Sequence, residues 1–367
     1  MTQKLTVAVL MGGKSAEHEV SLQSAKNVMA SLQTGENAKR YTVLAIGIQK
    51  DGAWFLQDPS DAFLNPQNPK TITLKPSNQK ISILPGAGRQ SLRVDNKDLA
   101  VDVVFPMLHG TYGEDGTMQG LLRILDLPFV GADVLGTAVG MDKEVMKRLF
   151  REAQIPTANF LIFDDLNVAL AAYETCHKTL GEIVFVKPAN AGSSVGVHKV
   201  KSAADWQVAL ADAFLYDTKI IVEEFIQGRE IECSVLGNEV MQASLPGEIL
   251  CHHEFYSYEA KYLDPNGADV ALPAKLDSEI VARVQAIAKK TMRVLCCEGL
   301  ARVDVFVTSA GEVYVNEINT LPGFTNISMY PKMWEISGLG QGELLHQLIQ
   351  LGLARQSRQH KLKTQFL

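Results

Sequence analysis

Short apolar runs separated by polar, glycine-bearing junctions set the pattern of the first 140 residues. Residues 5–10, Tyr41–Ile48 and residues 101–105 are rich in Val, Leu, Ile and Phe over strand-length windows, as expected of strands buried in a sheet. Residues 19–31 and Thr117–Ile124 read as helices, and residues 51–97, rich in Pro, Asn, Asp and Gly, as hairpins and loops along one edge. This alternation predicts a βα unit with a mostly parallel sheet over residues 1–140.

Further along, residues 141–153 read as a helix carrying Lys143 and Lys147, stopped by Pro156. An apolar strand at 183–186 ends in Lys187–Pro188, an amphipathic helix follows at 202–214, and a strand at 219–226 carries Glu223, Glu224, Phe225 and Ile226. Residues 230–236 and 239–245 begin a second sheet, residues 255–264 resemble a lid with Tyr256, Tyr258, Lys261 and Tyr262, and helices fill 277–296 and 339–353. No internal repeat is visible.

The most unusual stretch is residues 299–328. Two apolar runs, 301–308 and 312–318, flank Ser309, Ala310 and Gly311, a β-hairpin pattern. Arg302, Asp304, Glu317 and Asn319 interrupt it. Alternation puts Arg302 and Asp304 on one face, and likewise Glu317 with Asn319. A two-residue turn at Ala310–Gly311, or equally a four-residue loop, sets Asp304 opposite Glu317 and Arg302 opposite Asn319, whereas a three-residue loop sends the carboxylates to opposite faces. In the first case two carboxylates and an amide oxygen converge, hard donors that suit Mg²⁺ shared with phosphates; a solvated face with ordinary ion pairs is the other reading.

Other candidates lie at junctions. The loop from Met11 to Ser15 looks like the end of a P-loop, but that pattern needs glycine where this chain has Ala8. Glu17 either grips a substrate ammonium or simply complements a helix N-terminus. His109, in a glycine-rich loop at the end of a buried strand, is a reactive or a structural histidine. Lys187 closes a buried strand, which is costly unless it meets an anion, and the tip beyond it, with Gly192, Ser193, Ser194 and Gly196, is suited to folding over phosphates. Glu223 is placed to accept from a purine amine and Glu230 to bind ribose hydroxyls, or both are edge-strand charges.

Length and composition narrow the class. The 367 residues suffice for two or three domains, and 46% hydrophobic with 21% charged residues describes an ordinary globular chain. A net charge of −6 argues against a nucleic-acid partner, and the basic residues Arg355, Arg358, Lys361 and Lys363 read as a frayed terminus. No apolar run approaches the ~18 residues of a membrane span, and no signal peptide is expected. Five cysteines without a CxxC spacing point to reduced thiols in a cytoplasmic protein. Cys251, His252, His253 and Glu254 chelate poorly together, since neighbours in a strand face opposite ways.

The succession GGKSAEHEVS, HGTYGEDGT, VKPANAGSSVGV, FYSYEAKY, ARVDV and NEINTLPGFT closely resembles the D-alanine–D-alanine ligases, members of the ATP-grasp superfamily, from about Val7 to Leu348. The resemblance implies an α/β fold of three-domain ATP-grasp architecture: an amino-terminal, mostly parallel α/β substrate domain (1–140), and nucleotide between a central (141–226) and a carboxy-terminal (227–367) α+β domain. It implies ligation of two D-alanines through an acyl phosphate, giving ADP and phosphate for peptidoglycan synthesis, with ATP and two Mg²⁺ or Mn²⁺ ions, and a homodimer. By resemblance, Asp304, Glu317 and Asn319 hold metal, and Lys143, Lys187, Ser193, Ser194, Glu223, Glu224, Phe225, Ile226, Glu230 and Asn319 serve the nucleotide. Glu17 and His109 serve the first substrate; Ser328, Met329 and Lys261 serve substrate binding at the acceptor end and lid. Arg302 and the Gly323 N–H hold the oxyanion, while Ser193 and Tyr262 link to Glu17 and close two loops, keeping water from the acyl phosphate. Two departures stand out: Ala191 where many relatives have glutamate, and Phe225 where some have tryptophan. The residue type at Tyr262 implies an amine rather than a hydroxy-acid acceptor. The rivals are another ATP-grasp carboxylate–amine ligase, separated by Glu17, Tyr262 and Ser328, and a non-catalytic nucleotide binder, disfavoured by the intact hairpin set.

Overall fold

The computed structural model describes residues 3–251 and 268–363. Its first sheet runs Trp54–Gln57, Tyr41–Ile48, Leu5–Gly12, Val103–Met107, the last three parallel. Leu5–Gly12 is greasy on both sides because both are covered. Val7, Val9 and Met11 pack on Leu22, Ala25 and Val28 of helix His18–Leu32, and Ala8 and Leu10 on Met118 and Leu122 of helix Thr117–Ile124. The expected edge hairpins are there as Phe63–Leu64 with Thr73–Leu74, and Ile81–Ile83 with Leu92–Val94 and Lys97–Leu99.

A second sheet is antiparallel throughout: Phe160–Phe163, Ile220–Glu224, Val184–Pro188, His198–Val200. Val184, Val186, Ile220 and Val222 turn to one face and pack on Trp206 and Leu210 of helix Ala203–Ala213. Alternation leaves Phe185, Lys187 and Glu223 on the other face.

The third sheet centres on Arg229–Gly237 and Gly299–Val307, with Gly247–Cys251 and Ala268–Ala271 on one side and Val313–Asn319 on the other. Its core face carries Ile231, Cys233, Val303, Val305 and Val315 against Val284, Ala288 and Met292 of helix Ser278–Val294. Met146 and Phe150 join that same core. They come from the helix expected over 141–153, which runs Lys143–Glu152; a separate helix, Val134–Met141, ends just before it. Asp142 leaves helical geometry and its carboxylate accepts the Glu144 and Val145 N–H groups at 3.0 Å, capping the second helix and starting it at Lys143. The final helix, Gln341–Gln359, returns to the first sheet: Leu344, Leu348 and Ile349 join its core, and Arg355 donates to the carbonyls of Phe129, at 2.8 Å, and Gly131.

The hairpin corrects the turn expectation while keeping its consequence. The loop has three residues, Ser309 to Gly311, closed by Thr308 N–H to the Glu312 carbonyl at 3.0 Å. Near the turn Val307 therefore faces Val313 and Val305 faces Val315, a register that alone would put Glu317 in the core. A β-bulge then intervenes. Asn316 is the extra residue, and beyond it Asp304 faces Glu317 and Arg302 faces Asn319. The bulge lets Val315 and Ile318 both stay buried while Asn316 and Glu317 are only partly so.

Phe150 is wholly buried between the helix and the third sheet. Phe150→Ala is expected to lower unfolding stability by about 3–5 kcal/mol in chemical denaturation, through lost transfer energy and a cavity; a loss below about 1 kcal/mol would contradict this packing.

Candidate active site

The polar faces of the second and third sheets look at each other across a cavity of about 430 Å³. Lys143, Lys187, Glu223 and Phe225 line it on one side, Glu230, Asp304 and Glu317 on the other, with Ser193 and Ser194 of the glycine-bearing tip over it. Each wall is a strand face whose reverse is core, so alternation aims these side chains inward.

Three charges are buried together. Lys147 lies 3.0 Å from Glu223 Oε1, and Lys187 donates to Glu223 Oε2 at 2.7 Å. Burial pushes the Glu223 carboxyl up, but Lys147 and Lys187 outweigh it and hold it at about 2. Burial lowers Lys147, whereas for Lys187 the same penalty is overcome by Glu223, which raises it. Lys147 also donates to Thr157 Oγ1 at 2.8 Å, and Thr157 to the Val315 carbonyl at 2.8 Å. Both Glu223 oxygens thus meet lysines. Glu224 instead turns away, accepting the Asn159 N–H at 2.7 Å and Asn159 Nδ2 at 3.0 Å. Phe225 lies with its ring 6.0 Å from that of Phe185 and under Lys199, and Ile226 completes this end of the lining.

On the facing wall Arg302 forks onto Asp304, Nε to Oδ1 and Nη2 to Oδ2, both at 2.7 Å. Lys143 Nζ lies 3.4 Å from Glu317 Oε2 and donates to the Ala191 carbonyl at 2.8 Å, so the main chain at Ala191 is used where its side chain offers nothing polar. Burial works against the Arg302 charge, yet Asp304 and Glu232 raise its pKa well above the ordinary value. The donors for a hard cation fit. Asp304 and Glu317 are directly opposite, Asn319 is next in the register, and each carboxylate oxygen has a second lone pair beyond its bond to Arg302 or Lys143. Among the described residues no group of three His, Cys, Asp or Glu side chains forms a complete metal cage, so bound phosphates must complete such a site.

At the cavity's end Glu17 occupies the N-cap position of helix His18–Leu32 but makes no cap bond. Its carboxylate accepts instead from Ser193 Oγ, 176 residues away. Ser193 and Ser194 adopt positive φ, +53° and +59°, an unusual backbone for serine that turns the tip over the cavity. Gly110, at φ +69°, lies so close that an added Cβ would stand 2.7 Å from Glu17 Oε2. Glu114 accepts the Gly110 N–H at 2.6 Å on the same loop, and burial with the nearby Glu17 charge pushes its carboxyl up to about 8.

His109 is buried with both ring nitrogens engaged, Nδ1 3.1 Å from the Leu321 carbonyl and Nε2 3.2 Å from Ser24 Oγ. The carbonyl can only accept, so Nδ1 carries the proton and Nε2 takes the Ser24 hydroxyl proton. Burial holds this histidine below its ordinary range. It ties the first domain to the loop after the hairpin, where Ser24 also accepts the Phe324 N–H at 3.1 Å. In that loop Ser328 Oγ accepts the Thr325 N–H at 2.9 Å and packs beside Gly323, where a Cβ would stand 2.8 Å from it. Met329 is buried against Ile249 and Met333, and the Asn319 amide oxygen accepts the Leu321 N–H at 3.0 Å. Lys261 and Tyr262 lie outside the described residues, as do the pair His252–His253.

Four polar residues at the site were not singled out for it by sequence reasoning: Lys147, Glu114, Glu232 and Asn316. Lys147 had a signal, since it follows Lys143 by one helical turn on the same face. Glu232 had one too, as alternation from Glu230 puts it on the same face. Asn316, 3.4 Å from Lys187, had none, because the two-residue turn expected at Ala310–Gly311 pairs it with Val305 on the core face, whereas the three-residue loop sets it on the cleft side.

Comparison with known proteins agrees along the whole chain. The families described as D-ala D-ala ligase N-terminus and D-ala D-ala ligase C-terminus match residues 6–132 and 149–350. The D-alanine--D-alanine ligase of Oceanobacillus iheyensis is 48% identical over 98% of this chain and 98% of its own length. The D-alanine--D-alanine ligase A of Escherichia coli is 48% identical over 99% of each. Among solved structures, the D-alanine-D-alanine ligase from Coxiella burnetii superposes with a TM-score of 0.83 at 38% identity, covering 98% of this chain and 97% of that one. VanG D-Ala:D-Ser ligase from Enterococcus faecalis gives 0.84 at 34% identity, covering 95% and 100%.

Glu223→Gln leaves two buried lysines without their anion and is expected to cost about 3–5 kcal/mol of stability near neutral pH. The native carboxyl is depressed, so its contribution is complete above the unfolded value near 4.5 and fades as pH falls toward about 2. Urea denaturation of both proteins across pH 7 to 3 should show the gap narrowing on the acid side; a constant gap would contradict the ion-pair account.

Proposed function

The chain belongs to the D-alanine–D-alanine ligase family, and from that premise we propose how its residues divide the two steps of the reaction. The enzyme joins two D-alanines to D-alanyl-D-alanine with ATP and a divalent metal. First, a carboxylate oxygen of one D-alanine attacks the γ-phosphorus, ADP leaves, and an acyl phosphate forms. The amine of the second D-alanine then attacks the acyl carbon, loses a proton, and expels phosphate as the peptide bond closes.

Glu17 holds the first ammonium, with its carboxylate oriented by Ser193. Lys143 and Lys187 lie against the nucleotide phosphates, while Phe225 packs on the purine and Glu223, Ile226 and Glu230 line its base and ribose. Asp304, Glu317 and Asn319 hold the metal, Mg²⁺ or Mn²⁺ and two ions in our reading. When bound, these ions neutralise charge on the phosphate oxygens during transfer. Arg302 and the Gly323 N–H face the oxyanion of the second step, and Ser328 takes the acceptor carboxylate. Tyr262 and Lys261 lie outside the described residues; the role proposed for them, by family likeness alone, is to keep water from the acyl phosphate. His109 serves the first substrate indirectly, by holding the strand-end loop to Leu321 and Ser24.

What carries this reading is one observation: the Glu17–Ser193 link lies at the end of the same cavity whose walls bear Lys187 and the Asp304–Glu317 pair. We also propose division into 1–140, 141–226 and 227–367, a homodimer, and a cytoplasmic setting for peptidoglycan precursor synthesis; no helix among the described residues is long and apolar enough to cross a membrane.

Phosphate release should be strongest with D-alanine alone, weaker with D-alanine plus D-serine or D-lactate, and absent with L-alanine. Activation by L-alanine only would overturn the assignment. Asp304→Asn is expected to lower kcat by about 100-fold or more, because the metal loses an anionic ligand; an unchanged rate would remove Asp304 from the site.

A further inference from the structure

Glu232 has no part in the steps above, yet it is only 6% exposed beside them. In the sheet register it lies opposite Asp304, and Asp304 lies opposite Glu317, so three carboxylates form one row across three neighbouring strands. Like charges directly opposite each other repel, and such a row persists only with cations interleaved. Arg302 is the cation nearest its middle. Its Nε donates to Asp304 at 2.7 Å and also lies 3.2 Å from Glu232 Oε2.

This geometry creates a competition. The Arg302 fork engages both oxygens of Asp304, so a divalent cation must share them through their remaining lone pairs, beside a guanidinium of like charge. Any shift of Asp304 toward a cation weakens the fork, and a buried guanidinium left without an anion is costly. Glu232 stands on the other side of the same nitrogen, an anion already in reach. A role as third metal ligand is less well supported, since no three acidic, His or Cys side chains among the described residues form a cage.

We propose that Glu232 is a positioning residue for Arg302: it receives the guanidinium as Asp304 turns to the metal, so that Asp304 is released without Arg302 leaving the cleft. The inference rests on the reading of Asp304 as a metal-holding residue. It makes Glu232 a determinant of metal affinity although it never touches the metal.

The test is binding of Mn²⁺ to the protein–ADP complex, followed by electron paramagnetic resonance, in wild type, E232Q, E232D and D304N, with ADP binding in EDTA measured by calorimetry. E232Q is expected to bind Mn²⁺ about tenfold more weakly, the effect of losing one charge-assisted contact. E232D, which keeps the charge, should lie nearer wild type, and metal-free ADP binding should stay within about twofold throughout. Wild-type Mn²⁺ affinity in E232Q, or a parallel loss of metal-free ADP binding, would overturn the proposal. If E232Q does not fold, E232D decides: a few-fold loss confined to Mn²⁺ supports it, and no loss refutes it. D304N separates the two readings. Should D304N bind Mn²⁺ normally, the metal assignment itself fails; should D304N lose affinity while E232Q does not, only the role of Glu232 fails.

Discussion

Every wall of the cleft is constrained by one requirement: charges taken out of water must meet opposite charges. Lys147 of helix Lys143–Glu152 joins Glu223 and Lys187 of the second sheet in one set, and Arg302, Asp304 and Glu232 form another on the third sheet. Neither arrangement would be stable as isolated ions, because desolvation of each group costs several kcal/mol. The two sets carry opposite balances. Two lysines surround one carboxylate on the wall of the second sheet, and two carboxylates flank one arginine on the wall of the third. A nucleotide phosphate chain with its cation suits the gap between them, adding anion where cations exceed and cation where anions exceed.

The backbone completes the site by close approach. Gly110 leaves room for the Glu17 carboxylate, and Gly323 leaves room for Ser328. Ser193 and Ser194 hold left-handed conformations that cost energy in non-glycine residues and persist where surrounding contacts fix them. The Glu17–Ser193 bond is one such contact, so the tip is fastened to the start of the first helix through a single carboxylate, the one proposed to hold the first substrate. His109 does comparable work at the other end, joining the first helix to the loop that carries Gly323 and Ser328.

Much of this was legible in the chain. Lys187, Glu223 and the hairpin quartet stood out because charged residues at the ends or interior of apolar runs are costly without a purpose, Glu17 because it starts a helix at a strand end, and Lys143 only through the family resemblance. Their order along the chain then matched one family. The less legible part follows from how sheets pair. Glu317 is the residue that the bulge turns onto the cleft face: the pairing seemed to require a loop of two or four residues, the loop has three, and the extra residue Asn316 restores the pairing.

The sequence by itself determined which residues share a strand face, because side-chain alternation is a local property of the backbone. It also determined the βα character of the first sheet, through strands apolar on both sides. Only the tertiary structure decided which faces meet. Register depends on loop conformation and on bulges, and a shift of one residue moves every side chain to the other face. The same holds for Lys147 and Glu232, whose partners lie on strands 76 and 70 residues away in the chain. No local pattern carries that distance; strand pairing within the third sheet does so for Glu232, and the seating of helix Lys143–Glu152 beside the second sheet does so for Lys147.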